Sequence, residues 1–287
     1  MRLSNPRVKL MVAGGGDGTF SRNFSPLAES EQARMNFAKN IVFFLQTHKF
    51  DGFDLDWEYP VVNSKGEDRE NFIKLLTILK SQLSANNFIF SIAIAGGPGN
   101  SDQAYDIPRV QAQVDFMNLM TYDLHGSWEK FTGHNAPLSN DVLSVDTCVQ
   151  HLISKGALRE KIILGVAAYG QLFSLADPTT NKGFGAAAVG AGTSNYNVIC
   201  TNRNWERVWS DLKQVPYKVF GNQWVGYDDV QSISIKAQYA KDQRLGGVMI
   251  WALDNDDYAN NCNEGFFPIT RAVSRVIMGN VSIELSI

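Results

Sequence analysis

Short apolar runs rich in β-branched and aromatic residues alternate along the chain with longer stretches of helical period. This is the pattern of parallel strands joined by crossover helices. Six runs read as strands: Val8 to Ala13, Phe50 to Glu58, Phe88 to Ala95, Val114 to Tyr122, Lys161 to Ala168 and Gly247 to Leu253. Ala33, Phe37, Ile41, Phe44 and Leu45 recur at helical spacing and predict a helix over Glu31 to Gln46, with Ser30 as its cap. Further helices are predicted over Asp68 to Leu83, Asp141 to Lys155, Val230 to Asp242 and around Ile269 to Ile277. From Gln171 to Gln223 the chain turns to Gly, Thr, Asn and Ala with scattered aromatics, too long for an ordinary connection. The reading is therefore an α/β body of residues 1–170 and 224–287 carrying a small α+β insertion, 171–223, between its last two strands. A barrel of this kind needs eight strands, so six units leave either an open sheet or two units unaccounted for.

Composition narrows the class. Of 287 residues, 44% are hydrophobic and 19% charged, enough for one large core. Twenty-six basic and 29 acidic residues give a net charge of −3, with no block of like charge, which argues against nucleic acid or an anionic membrane surface as partner. No apolar run reaches the length of a spanning helix, and the stretch from Met1 to Lys9 has no signal-peptide pattern. Cys148, Cys200 and Cys262 are too few for a disulfide scaffold and fit no zinc spacing; one pair with one left over, or three buried thiols, both remain open. Asn23-Phe24-Ser25 and Asn280-Val281-Ser282 are acceptor sequons for N-glycosylation.

The densest chemistry lies in Asp51-Gly52-Phe53-Asp54-Leu55-Asp56-Trp57-Glu58-Tyr59-Pro60. On a strand Asp54, Asp56 and Glu58 share one face and Phe53, Leu55 and Trp57 the other. Successive acids are then about 6.6 Å apart along the strand, too close in a crevice for all to ionise, and a retained proton near neutral pH is what a general acid needs. Glu58, last before Pro60, is expected at the C-terminal mouth, where barrel active sites form. A divalent-metal cluster is the rival reading of the same oxygens.

The run DGFDLDWEYP resembles the DxxDxDxE signature of the family 18 glycoside hydrolases, the chitinases and chitinase-like lectins. Other segments agree in order. Asn5-Pro6-Arg7 leading into Leu10 to Gly15 resembles the third strand of that barrel, and Met120-Thr121-Tyr122-Asp123 with His125-Gly126-Ser127-Trp128 the sixth. Tyr169-Gly170 resembles the end of the seventh strand, and Gly246 to Asp254 the eighth. The resemblance, nearest to animal-type chitinases, implies a TIM (β/α)8-type barrel that is N-terminally incomplete, with strands 3 to 8 and the insertion between strands 7 and 8.

It also implies a retaining, substrate-assisted hydrolysis of β-1,4-linked N-acetylglucosamine chains. Glu58 would protonate the glycosidic oxygen, while the sugar's own 2-acetamido carbonyl attacks C1. Asp56 would orient that acetamido group, with Asp54 as its partner, and Tyr122 would donate to the acetamido oxygen beside Asp123. Trp251 and Met249 would form an apolar floor, Trp128 an outer platform, and Met120, Tyr169 and Tyr59 would complete the lining. Asp51 reads as a structural member of the motif. The resemblance further implies a Cys200–Cys262 disulfide, an extracellular location, a chitin or chitooligosaccharide partner, a monomer, and neither cofactor nor metal.

Three departures set this chain apart. Gly16 stands where the family commonly carries a stacking Trp, Gln171 where it carries an Arg, and the insertion is shortened. Two β units that precede Asn5 in the family have no counterpart here, which predicts free strand edges and a weakly stable chain unless those units are restored. The alternatives kept open are a chitin-binding lectin, although lectins of the family replace the acid that Glu58 retains, and an inactive fragment.

Overall fold

The computed structural model describes residues 2–3, 5–18, 21–61 and 67–279; the Asn280 sequon lies outside them. The chain divides into two compact units, residues up to 119 with 151–162, and residues 120–150 with 163 onwards.

In chain order the first unit contains β1 (Met11–Gly16), α1 (Phe24–Glu29), α2 (Glu31–His48), β2 (Gly52–Trp57), α3 (Asp68–Ser84), β3 (Ile89–Ala95), α4 (Pro98–Ala104), α5 (Ile107–Gln111) and nearly all of β4 (Phe116–Met120). These four strands lie side by side in sequence order, with β1 outermost. β1 runs parallel to β2 from Met11 opposite Gly52 to Gly16 opposite Trp57. The alternation read from the acidic run holds: Phe53, Leu55 and Trp57 are buried, with Phe53 against Phe37 at 6.1 Å and Trp57 between Phe24 at 5.7 Å and Phe72 at 5.8 Å. Full burial of such side chains contributes about 1.5–3 kcal/mol each, and it forces Asp54 and Asp56 onto the opposite face. α2 starts where predicted, the Ser30 hydroxyl accepting from the Ala33 N–H, and ends where Lys49 turns left-handed. α3 buries Leu75, Leu76, Leu79 and Leu83 along one stripe.

After α6 (Val145–Ser154) and β5 (Ile162–Ala167), the second unit continues with β6 (Tyr169–Leu175), β7 (Ala188–Asn195), α7 (Tyr196–Ile199), β8 (Glu206–Ser210), β9 (Val215–Phe220), β10 (Gln223–Gly226), α8 (Val230–Asp242), β11 (Gly247–Trp251) and α9 (Pro268–Met278). β5 pairs in parallel with β11 from Ile163–Gly247 to Ala167–Trp251. The intervening strands form a five-stranded antiparallel sheet in the order β7-β6-β10-β9-β8. Its own small core contains Phe173, Leu175, Ala186, Ala188, Val219 and Trp224. The α8 helix opens on a capping box between Asp229 and Ser232.

Cys200 and Cys262 are bonded, and Cys148 is a free, buried thiol in α6. This settles the cysteine alternatives in favour of one pair and one left over. The bond closes a loop across 62 positions, from the end of α7 to the segment after β11. Cross-linking a loop of that length restricts the unfolded chain by roughly 4 kcal/mol in the entropy model, with typical measured effects of about 2–4 kcal/mol. The double variant Cys200→Ser, Cys262→Ser should lose about that much in a denaturant titration. An unchanged midpoint would show that the bond adds nothing to stability.

Candidate active site

The signature acids of β2 occupy distinct environments within the first unit. Asp51 lies just before the strand, where Oδ2 accepts from the Leu10 N–H at 2.7 Å and from Arg2 at 2.8 Å. The backbone bond first, then the guanidinium, holds this carboxyl below its usual range. Asp51 thereby ties the approach to β1 onto β2. Burial raises the Asp54 carboxyl above its usual value, although its Oδ1 accepts from Ser91 Oγ and, at 2.9 Å, from Asn118 Nδ2. Asp56 goes further. Burial, and then the neighbouring charges of Glu58, Asp54 and Asp17, push its carboxyl up to about 7, and its buried Oδ1 has no hydrogen-bond partner among the described residues. Such a carboxyl holds a proton near neutrality and keeps one acceptor uncommitted.

Glu58 follows β2 directly. Its N–H donates to Ser21 Oγ at 2.7 Å, and that hydroxyl donates to the Gly16 carbonyl at 2.6 Å, so one serine ties the end of β1 to the backbone of the candidate acid. The next side chain, Tyr59, has its phenol pushed up by burial and by Glu58. The Gly15–Gly16 end of β1 is demanded by this geometry. Gly15 is left-handed at φ 117°, and a Cβ there would lie 1.8 Å from the Asp56 carbonyl oxygen. At Gly16, with φ 108°, an added Cβ would meet nothing within 4 Å among the described residues, but the backbone strains any side chain.

The remaining predicted residues group within the second unit. Tyr122 is buried, its hydroxyl 3.9 Å from Met249 Sδ and its ring edge-on to Tyr169 at 6.1 Å. Asp123 is left-handed at φ 53° and exposed. Its carboxylate accepts from the Tyr169 hydroxyl at 2.7 Å and from Gln171 Nε2 at 2.5 Å. The amide at position 171 therefore keeps a hydrogen bond where an arginine would add an ionic one. Burial and the Asp123 charge push the Tyr169 phenol up. Met120 is half-buried at the end of β4. Trp251 ends β11 with 53% of its surface exposed, and Trp128 is 63% exposed in the loop after β4. Neither ring is part of the buried core.

Four residues escape a reading by motif: Ser21, Ser91, Asn118 and Asn135. Ser91 and Asn118 each interrupt an apolar strand, IFSIAIA and FMNLM, and Ser91 lies directly opposite Asp54 in the register. A lone polar residue inside a buried strand was the available signal. Among the described residues, one set of metal-type ligands converges within 4.8 Å, Cys200, Asp257 and Cys262, and its two sulfurs are spent in the disulfide.

The profile of Glycosyl hydrolases family 18 matches residues 1–256. Chitotriosidase-1 of Mus musculus is 34% identical over 302 residues, an alignment that covers 95% of this chain and 64% of that protein, so the chain spans just under two thirds of it. The crystal structure of Ostrinia furnacalis Group IV chitinase in complex with allosamidin superposes with a TM-score of 0.93 at 32% identity, covering 96% of this chain and 81% of that one. Human YKL-39, a pseudo-chitinase with retained chitooligosaccharide binding properties, superposes with a TM-score of 0.91 at 33% identity, covering 96% and 82%. The barrel-type α/β fold that the resemblance implies is the fold these structures share with the chain. With the acid spacing, the fold and the profile in agreement, the chain belongs to glycosyl hydrolase family 18.

Proposed function

We propose that the protein hydrolyses β-1,4-linked N-acetylglucosamine polymers or oligomers outside the cell, as a monomer and with retention of anomeric configuration. The observation that carries this reading is the state of Asp56: raised to about 7 and with one oxygen unclaimed, it suits a group that must accept from an acetamido N–H and then share charge with it. Glu58, one pleat further, gives its proton to the leaving glycosidic oxygen. The acetamido carbonyl oxygen attacks C1 as that bond breaks, giving an oxazolinium-type intermediate; the resulting Glu58 carboxylate then takes a proton from water as the water oxygen adds to C1, and the oxazolinium C1–O bond breaks to restore the acetamido group and the acid. Asp54, held by Ser91 and Asn118, is the fixed partner of Asp56. Tyr122 supplies a hydroxyl to the acetamido oxygen, and Trp251 with Met249 an apolar face for the pyranose. The disulfide supports an oxidising, extracellular setting.

Substrate assistance makes a sharp demand. Fully deacetylated chitosan oligomers should resist cleavage, while the acetylated oligomers of equal length should be cut to β-anomers seen first by NMR. α-Anomers in the earliest products, or equal turnover of both substrates, would exclude the mechanism.

A second reading is favoured by two observations: Gly16 presents no aromatic platform, and the similar human YKL-39 binds chitooligosaccharides as a pseudo-chitinase. On this reading the protein is a lectin. Binding without any hydrolysis in the wild type would select it.

A further inference from the structure

We propose that Asn135 is a positioning residue of the hydrolytic site, holding Asp123 and the adjacent Tyr122 in register through the backbone. This rests on the hydrolytic reading above for its kinetic consequences but not for its geometry. Asn135 is fully buried, and its side-chain oxygen, side-chain nitrogen and carbonyl each have a partner. Its Oδ1 accepts from the Asp123 N–H at 2.8 Å, its Nδ2 donates to the Tyr169 carbonyl at 3.1 Å, and its own carbonyl accepts from the Leu124 N–H at 2.9 Å. One side chain thus joins the Tyr122–Asp123 turn to the start of β6, whose Tyr169 and Gln171 side chains grip the Asp123 carboxylate.

Two features make this more than local satisfaction. Asp123 has a left-handed backbone, which is unfavourable for a non-glycine residue and persists only where surrounding bonds over-determine it. Asn135 supplies the bond to the N–H of that residue. Secondly, Asn135 belongs to a connecting segment, Thr132 to Leu138, whose seven residues are all buried, whereas connections ordinarily run over the surface. The segment is pinned by Thr132, which exchanges bonds with Gly183, Gly185 and Ala186, and by His134, stacked on Phe184 at 5.6 Å and packed against Trp224. It is a rigid base, and Asn135 is its contact with the turn.

The test compares N135L and N135D. N135L removes both side-chain bonds and should lower kcat on chitotetraose about 100-fold, the scale of an ångström of misplacement, with KM changed less than about 3-fold. In N135D a protonated carboxyl can reproduce both bonds, acceptor to Asp123 and O–H donor to Tyr169, whereas the ionised form cannot donate. Its kcat relative to wild type should therefore stay near unity at acid pH and fall at least 10-fold as pH rises, a profile that mere loss of stability would not produce. A kcat within 2-fold of wild type in both variants at every pH would overturn the proposal. If the wild type binds chitooligosaccharides without cleaving them, the hydrolytic reading fails, and the crystal structure of N135L decides this one. Asp123 displaced from its left-handed turn supports it; Asp123 unmoved and still bonded to Gln171 sinks it.

Discussion

Replacing Glu58 by Gln should reduce hydrolysis of chitooligosaccharides at least 100-fold while leaving their affinity unchanged within about 2-fold. The amide keeps the size and shape of the carboxyl and the Glu58 N–H stays on Ser21 Oγ, since that bond belongs to the backbone. What disappears is the transferable proton. General acids contribute about 10²–10⁴-fold to such reactions, and a 100-fold loss corresponds to about 2.7 kcal/mol of barrier. Steady-state rates on chitotetraose beside calorimetric binding of the same ligand separate the two terms. Residual turnover above one per cent of wild type would remove Glu58 from the role.

Asp56→Asn should make the protein more stable above neutral pH and poorer as a catalyst. The sign follows from proton linkage. The folded carboxyl titrates at about 7 against 3.8 in the unfolded chain, so between these values the native state binds more protons. Stability from this group is complete below pH 3.8 and is lost as pH rises through 7. The span is 3.2 pH units, equivalent to about 4 kcal/mol at 1.36 kcal/mol per unit, an upper figure for a half-buried group. Asparagine never ionises and avoids this penalty. The variant should match wild type in unfolding free energy at pH 4, exceed it by up to about 4 kcal/mol at pH 8, and lose at least about 10-fold in kcat because the amide cannot share charge with the acetamido nitrogen. A variant less stable than wild type at pH 8 would mean that the ionised Asp56 is paired in the folded protein.

The sheet-forming runs and the long helices were legible because each buries one face, and burial writes a period of 2 or 3.6 into the residues. Val230–Asp242 falls where its pattern places it, and Phe53, Leu55 and Trp57 are buried as their alternation requires. β1 was read three residues early, at Val8 instead of Met11. Its last half is Gly14-Gly15-Gly16, which carries no apolar signal and is set by close approach to Asp56. The short helices α1, α4 and α5 escaped for a similar reason: five to seven residues hold too few turns to show a stripe. The antiparallel sheet reaches from Tyr169 to Gly226, a little beyond both ends of the anticipated insertion, because β6 and β10 extend into the flanking aromatic and glycine positions.

The acids were legible as well, since fixed spacing on a strand dictates a shared face without any knowledge of the rest of the molecule. Their inequality was not. Asp51, Asp54 and Asp56 are the same residue type within six positions, yet one is held low by Leu10 and Arg2, one is raised despite Ser91 and Asn118, and one reaches about 7 with an oxygen unclaimed. The partners come from up to 64 positions away. A sequence determines which side chains a strand presents together, because that is local geometry; which of them keeps its proton depends on desolvation and on donors delivered by other strands, and only the folded chain decides it.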